Sequence, residues 1–156
     1  TIRIEINGKQ KFVKISKSSI MLGINSGKPF MQQYIFIDRD KSTADESLNI
    51  ARMMIQEKGL RRAIVMQSSK NRHHIISFSP KPFKQMLEIL HEYGSDEKHI
   101  AKTQDNGFAT LRITSKGKNK IKYTGHSNNM STAKQLNFYD FDMEKAYLKL
   151  VEQEND

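Results

Sequence analysis

The chain contains no cysteine and no long hydrophobic run, and each absence excludes some classes of protein or site. Without cysteine, disulfide bridges and thiolate metal sites are excluded, so any metal must be held by oxygen or imidazole ligands. No apolar segment approaches the roughly 20 residues of a membrane span. Residues 1–6 alternate apolar with polar side chains instead of forming the apolar block of a signal peptide. We therefore expect a cytoplasmic protein that does not enter a membrane.

Acidic residues are also in short supply. The 156 residues include 26 Lys and Arg but 17 Asp and Glu, which gives a formal net charge of +9 at pH 7. This excess favours a polyanionic partner, nucleic acid before an acidic membrane surface, although a merely basic protein shows the same balance. The length suits one domain, 1–156, with a core of its own, and no internal repeat is evident.

The order of the predicted elements indicates an α+β fold. Alternating isoleucines and the Asn7-Gly8 pair predict a β-hairpin within an N-terminal hairpin and loop region, 1–33. A central core, 34–123, reads strand, helix, strand, strand, helix, strand, and a C-terminal helix region, 134–156, follows. This order predicts an RRM-like βαββαβ core, with helices packed on one face of a mainly antiparallel sheet.

Capping residues mark the predicted helices. Thr43 with Glu46 three residues later fits a capping box, and Gly59 fits the end of that helix. A second helix is predicted over residues 82–93, and a last one begins near Asp142. The other predicted elements are strands over 12–15, 34–40, 63–66, 74–78, 108–114 and 121–123, a loop over 17–29, a turn over 116–119 that pairs the last two strands as a hairpin, and a polar separator over 125–133.

A buried strand that ends in two carboxylates is the most informative stretch of the chain. Residues 34–40 place Asp38 and Asp40 one residue apart after an apolar run. Because strand side chains alternate between faces, both carboxylates would project from the same face, where hard oxygen ligands suit Mg²⁺ or Mn²⁺. The alternative is a polar strand-to-helix loop in which Asp40 or Ser42 begins the next helix.

A dense set of hydrogen-bond donors follows one predicted helix later. Residues 68–74 carry two serines, a lysine, an asparagine, an arginine and two histidines between two predicted strands. Lysine and arginine bind phosphate oxygens through charge-assisted hydrogen bonds. His73 and His74 are a poor metal pair, because adjacent residues on a strand face opposite sides. The alternative is an ordinary polar hairpin loop.

Together these two motifs resemble the catalytic core of the archaeo-eukaryotic primase–polymerase superfamily, over roughly residues 34–123. That family shows an apolar strand ending in Asp-x-Asp, then a helix, then a strand leading into a Ser-rich basic turn closed by a histidine. A third metal-binding acid should follow, before a strand that carries a basic residue. Asp105 is the best candidate for this acid, with Asp140 and Asp142 as alternatives that also suit helix capping.

The resemblance implies metal-dependent nucleotidyl transfer on a nucleic-acid template, in the replication of DNA. The catalytic acids Asp38, Asp40 and Asp105 would hold two divalent ions, Mg²⁺ or Mn²⁺. DNA or RNA would be the nucleic acid bound, and a helicase or another replication protein is a candidate partner. The residues that would grip the incoming nucleoside triphosphate are Ser68, Lys70, Arg72, His74 and Arg112. The 68–74 turn should therefore lie beside Asp38 and Asp40, across neighbouring strands.

Four lysines alternate near the end of the predicted core. Lys116, Lys118, Lys120 and Lys122 would form a basic ridge on the predicted hairpin, suited to the backbone of a template. The alternative is a solvated edge hairpin whose charges oppose aggregation.

Two other functional classes remain open. A metal-dependent nuclease could use Asp38 and Asp40, with Glu88 assisting. A non-catalytic nucleic-acid-binding module would need the basic surface and an aromatic platform for bases. The candidate platforms are Tyr34, Phe36 and Tyr123, although the apolar neighbours of Phe36 indicate a core position.

Overall fold

The N-terminal segment contributes a separate two-stranded sheet. A computed structural model of the chain describes the backbone of residues 2–6 and 9–13 and the whole of residues 21–131 and 136–156. The predicted Asn7-Gly8 turn, part of the predicted 17–29 loop and residues 132–135 of the predicted separator and C-terminal region lie outside these described residues. Strands β1 (Ile2–Ile6) and β2 (Lys9–Val13) pair antiparallel, so β2 begins earlier than the predicted 12–15.

Antiparallel strands form the central sheet in the order β4-β6-β5-β8. Two shorter strands, β3 and β7, pair with each other in a separate sheet. The strand bounds are β3 (Gly23–Asn25), β4 (Gln33–Arg39), β5 (Arg62–Ser69), β6 (Arg72–Lys81), β7 (Thr110–Arg112) and β8 (Lys122–Asn128). The helices are α1 (Ala44–Lys58), α2 (Phe83–Glu92), α3 (Glu97–Asn106) and α4 (Phe141–Asn155). The expected α+β class with antiparallel sheets is confirmed.

The predicted caps bound the first helix. The Thr43 hydroxyl accepts a hydrogen bond from the Glu46 backbone N–H at 3.2 Å. Gly59 ends α1 with a φ of 63°, a left-handed conformation that costs glycine little. The second and last predicted helices also form, as α2 and α4, with Asp140 capping α4.

Two layers of side chains cover the central sheet, one on each face. Along β4, Ile35 and Ile37 face a core cluster built with α1, α2 and α3. Phe36 faces the opposite cluster, which contains Tyr147 of α4 and Leu111 of β7. The expectation that helices pack on one face therefore holds for α1 to α3, whereas α4 packs on the other face.

Helix α3 also protects the free edge of β4. The Asp96 backbone N–H donates to the Asp38 carbonyl at 2.6 Å, and His99 Nε2 donates to the Phe36 carbonyl at 2.8 Å. These bonds satisfy two backbone acceptors of β4 that no strand pairs. Among the helices in the described ranges, none is both long and apolar enough to cross a membrane.

The predicted hairpin over 108–123 is wrong, since its two strands pair elsewhere. Strand β7 pairs with β3, and β8 pairs with β5 and continues through the predicted polar separator to Asn128. Residues 113–121 form a connecting loop instead. Ile113 and Ile121, at its two ends, are both buried in the cluster with α4, so burial of these apolar residues fixes the path of the loop.

The buried tyrosines of α4 and its approach segment give a test of core energetics. The hydroxyl of Tyr147, a residue 1% exposed, has no hydrogen-bond partner among the described residues. An unsatisfied buried hydroxyl costs about 1–3 kcal/mol, so Tyr147→Phe should raise the free energy of unfolding, by roughly 1 kcal/mol, in urea denaturation. The control is Tyr139→Phe, since Tyr139 donates to Glu144 Oε1 at 2.5 Å and its loss should destabilise. Equal destabilisation by both changes would contradict this assignment.

Candidate functional site

Asp38 and His74 face each other across neighbouring strands. The register of β4 and β6 sets Asp38 opposite His74, and Asp38 Oδ1 lies 3.9 Å from His74 Nε2. Strand alternation puts both side chains on the face of Phe36, away from α1 and α2. The predicted proximity of the 68–74 segment to the first carboxylate is therefore confirmed.

A cavity of about 880 Å³ opens over this pair, between the sheet, α3 and the 113–121 loop. Its volume lies within the roughly 300–1,000 Å³ typical of small-molecule sites. Six basic side chains and two carboxylates of the described residues line it, so the cavity favours an anionic ligand. The charged lining residues are Asp38, Arg72, Asp96, Lys98, Lys102, Arg112, Lys116 and Lys118, with His74 and His99 beside them.

Burial gives Asp38 and His74 unusual ionisation. Burial raises the pKa of Asp38 above its ordinary value, although nearby His99 and Arg72 oppose the shift. Burial lowers the pKa of His74 to about 3, and the neighbouring His99 and Arg112 act in the same direction. His74 is therefore neutral at neutral pH. Asp38 Oδ1 and His74 Nδ1 are buried without hydrogen-bond partners among the described residues, which is uncommon for buried polar atoms.

Asp40 occupies a different environment from Asp38. Strand β4 ends at Arg39, and Asp40 is exposed and outside the cavity lining. Its Oδ2 lies 3.1 Å from Arg72 Nη2, and the hydrogen bond from Arg72 lowers the pKa of Asp40. Burial lowers the pKa of Arg72, but the neighbouring carboxylates of Asp38 and Asp40 raise it. The pKa of Arg72 therefore lies above its ordinary value. Arg72 therefore stays cationic between the two carboxylates.

The predicted triphosphate-binding residues divide into two groups. Ser68, Arg72, His74 and Arg112 line the cavity, whereas Lys70 lies exposed in the β5–β6 turn outside it. Arg112 is also engaged by the backbone, because its Nη2 donates to the Ser68 carbonyl at 2.7 Å. Its Nη1 donates to the Thr114 carbonyl, which fastens the start of the 113–121 loop to β5. Arg112 is thus chiefly a positioning residue.

The predicted third acid lies away from the cavity. Asp105 is exposed on α3, and it does not line the cavity. Asp140 caps α4 by accepting from the Met143 N–H at 2.9 Å, and it also accepts from the Tyr34 hydroxyl at 2.7 Å. Asp142 is exposed in the first turn of α4. The structure brings none of these three acids to Asp38.

Helix α3 supplies the site residues that sequence reasoning missed. Asp96, Lys98, His99 and Lys102 all line the cavity. Asp96 is the N-cap of α3, yet its side chain makes no capping hydrogen bond. The signal was present in the sequence, because Gly94-Ser95-Asp96-Glu97 resembles a helix end followed by a helix start, and Gly107 marks the stop.

The positions of the acids show whether these residues could hold the two divalent ions that the resemblance implies. Among the described residues, no three His, Asp or Glu side chains are grouped so that they could hold a metal ion. Asp38 shares the cavity with Asp96, while Asp40 is paired with Arg72. As they are placed, these residues do not fit a two-metal site.

The four lysines of the predicted basic ridge are divided between two cavities. Lys116 and Lys118 line the first cavity, near a turn in which Gly117 adopts a φ of 61°. Lys120 and Lys122 line a second, smaller cavity on the other side of the loop. The four lysines therefore serve two surfaces instead of one hairpin face.

Comparisons of the chain with protein-family models, with curated proteins and with solved structures find no match. The resemblance to primase–polymerase cores therefore rests on the two sequence motifs.

The ionisation of His74 predicts a pH dependence of stability. Its pKa is about 3 in the folded protein but near 6.5 in an unfolded chain, so acidification protonates the unfolded chain first. The stability contributed by neutral His74 is complete above about pH 6.5 and is lost as the pH falls towards 3. The free energy of unfolding of the wild type should therefore fall more steeply from pH 7 to pH 4 than that of His74→Asn.

Urea denaturation at several pH values measures this difference. His91→Asn is the matched control, because it removes a histidine that is exposed on α2 and outside the cavity. The raised pKa of Asp38 acts with the opposite sign, since it favours the folded state at low pH, but both proteins retain it. If the free energy of unfolding changes equally with pH in the wild type and in His74→Asn, the lowered pKa of His74 is refuted.

Proposed function

We propose that the 880 Å³ cavity binds a nucleoside triphosphate and that the protein is a primase–polymerase-type nucleotidyltransferase acting on a nucleic-acid template. The observation that carries the proposal is the cross-strand pair of Asp38 and His74, set beneath a strongly basic cavity. The two motifs of the sequence meet there, although they come from different strands.

The chain's own residues account for recognition of the phosphates. Arg72 remains charged and faces the cavity, so it can form charge-assisted hydrogen bonds to phosphate oxygens. Lys98 and Lys102 approach from α3, and Lys116 and Lys118 approach from the loop. Neutral His74 can donate its ring N–H to a phosphate oxygen without adding charge. Asp38 would orient the ligand's hydroxyl or base, since a carboxylate does not bind a phosphate directly.

The topology supports an RRM-like core for this function. The order β4-β6-β5, with α1 after β4 and α2 after β6, matches the first five elements of a βαββαβ unit. The closing strand of that unit would be β7. Backbone bonds from Ser26 to Ala109 and from Tyr34 to Ser26 bring the β3–β7 sheet beside β4.

A non-catalytic nucleic-acid-binding module is the second candidate. It is favoured by the lack of a three-ligand metal group among the described residues. Tyr123 is half exposed, with its ring beside that of His126, and is a candidate platform for a base, whereas Phe36 is fully buried, as its apolar neighbours predict. The nuclease hypothesis gains less support, because Glu88 is exposed on α2 and does not line the cavity.

Nucleotide binding and nucleotide incorporation can be separated experimentally. Arg72→Gln should weaken binding of a nucleoside triphosphate, by roughly tenfold or more in calorimetry, because a charge-assisted hydrogen bond contributes about 1.5–3 kcal/mol. Arg61→Gln, at an exposed position just before β5, is the matched control. If the two variants bind the triphosphate with equal affinity, the triphosphate does not bind in this cavity.

Primer extension with labelled DNA, Mg²⁺ or Mn²⁺, and triphosphates distinguishes the three functional classes. A nucleotidyltransferase extends the primer, a nuclease shortens it without triphosphates, and a binding module does neither. Asp38→Asn should abolish extension while the cavity still binds the triphosphate. Asp105→Asn, an exposed change outside the cavity, should retain extension. If the Asp105 variant loses extension while the Asp38 variant retains it, the result would support Asp105 as a catalytic acid, as the sequence predicted, and would contradict the role of Asp38.

The salt dependence of binding tests the loop lysines. Each phosphate contact releases condensed counterions, so log affinity for single-stranded DNA should fall by about 0.7 for each contact as log salt rises. Lys116→Gln with Lys118→Gln should flatten this slope by about one to two units. The control pair, Lys145→Gln with Lys149→Gln, removes two exposed charges from α4 outside both cavities. Identical slopes for the wild type and the loop variant would place the nucleic acid elsewhere.

A further inference from the structure

A second cavity of about 540 Å³ lies between the start of β8 and α4. Its apolar lining comes from three elements, with Met66 on β5, Ile121 before β8, and Leu148 and Val151 on α4. The remaining lining residues are Lys120, Lys122 and Tyr123 on the strand side and Glu152, Asn155 and Asp156 on the helix side. An apolar cavity with cations along one wall suits a flat, apolar ligand that carries anionic groups at one edge.

Hydrogen bonds of Asn155 join two walls of the second cavity, α4 and the 113–121 loop. The Asn155 Oδ1 accepts from the Ile121 backbone N–H at 2.9 Å. Its Nδ2 donates to the Ile113 carbonyl and to the Val151 carbonyl, each at 2.7 Å. Asn155 therefore fastens both ends of the 113–121 loop to α4, and the wall that carries Lys120 is fixed before any ligand arrives.

An aromatic ring forms part of the same wall. The Tyr123 side chain belongs to a residue that is 48% exposed. Its hydroxyl is joined to His126 Nδ1 by a hydrogen bond of 2.5 Å, and the two rings stack with centroids 6.3 Å apart. These contacts fix the orientation of the Tyr123 ring, so it offers a flat surface at little further entropic cost.

The second cavity adjoins the first along β5 and along the loop. Met66 lines the second cavity and Ser68 lines the first, two residues or about 7 Å further along the strand. Residues 116–119 face the first cavity, and residues 120–123 face the second. A polymer that occupies one cavity can therefore continue into the other without leaving the lysine-bearing loop.

We propose that the second cavity binds one base of a single-stranded nucleic acid, stacked on Tyr123 and packed against Leu148 and Val151. The phosphates on either side of that base contact Lys120 and Lys122. Glu152, on the opposite wall, accepts hydrogen bonds from amino groups of the base. The proposal rests on the proposed function, because the strand leads from this subsite to the nucleotide cavity.

Fluorescence anisotropy with two labelled oligonucleotides of equal length, one normal and one abasic, tests the subsite. The wild type should bind the normal strand more tightly than the abasic one. Tyr123→Ala should weaken binding of the normal strand about tenfold, because the stacking surface is lost, and should leave the abasic strand unaffected. Tyr123→Phe should keep wild-type affinity within about twofold, since it retains the ring. Phe138→Ala removes an aromatic residue that is 62% exposed and outside both cavities, and it is the matched control.

The outcomes separate this subsite from the nucleotide cavity. Equal binding of normal and abasic strands by the wild type would overturn the subsite without the need for any variant. An equal loss on both strands in Tyr123→Ala would also overturn it, because that result reports a general effect on the surface. Triphosphate binding, measured in parallel by calorimetry, should be the same in Tyr123→Ala and the wild type. If the wild type binds no triphosphate while the loss in Tyr123→Ala is confined to the normal strand, the proposed function fails and the base subsite stands.

Discussion

The antiparallel pairing of β4 with β6 is the constraint on which the site depends. This register sets Asp38 opposite His74. A shift of one residue would turn Asp38 towards α1 and α2 and would move every apolar residue of β4 to the wrong face. The two core clusters prevent such a shift, because Ile35 and Ile37 must enter one cluster and Phe36 the other. The packing of the core therefore positions the carboxylate, and the site needs no loop to hold it.

The site is arranged at a cost to stability. Asp38 Oδ1 and His74 Nδ1 are buried without partners among the described residues, and burial shifts both pKa values against the charged forms. Uncharged side chains of similar size would pack there with less penalty. Strongly shifted groups that line a cavity are more typical of functional sites than of structural cores. The six basic side chains around them support the same conclusion, since their mutual repulsion is relieved when a polyanion binds.

Sequence patterns predicted those features of the fold that depend on residues close together in the chain. The alternation along residues 34–40 and the caps of α1 at Thr43 and Gly59 were readable, and so was the proximity of the 68–74 segment to Asp38. The partners of β7 and β8 were not, because strand pairing depends on burial of distant residues such as Ile113 and Ile121. Helix α3 is an intermediate case. Its caps were visible, but its contribution to the site depends on hydrogen bonds to the edge of β4 that no local pattern contains.

The role of a charged residue also depends on the bonds that its donors already make. Arg112 was readable as a cation for the triphosphate, yet its guanidinium bonds the backbone carbonyls of Ser68 and Thr114. Asn155 holds the same loop from the opposite side, through Ile113 and Ile121. These two side chains fix a loop that separates two cavities and gives lysines to both. Because the loop is held at both ends, the distance between the cavities is set by the fold. A polymeric ligand that spans both cavities would therefore bind a rigid, preformed surface, and the ordering cost of binding would fall mainly on the ligand.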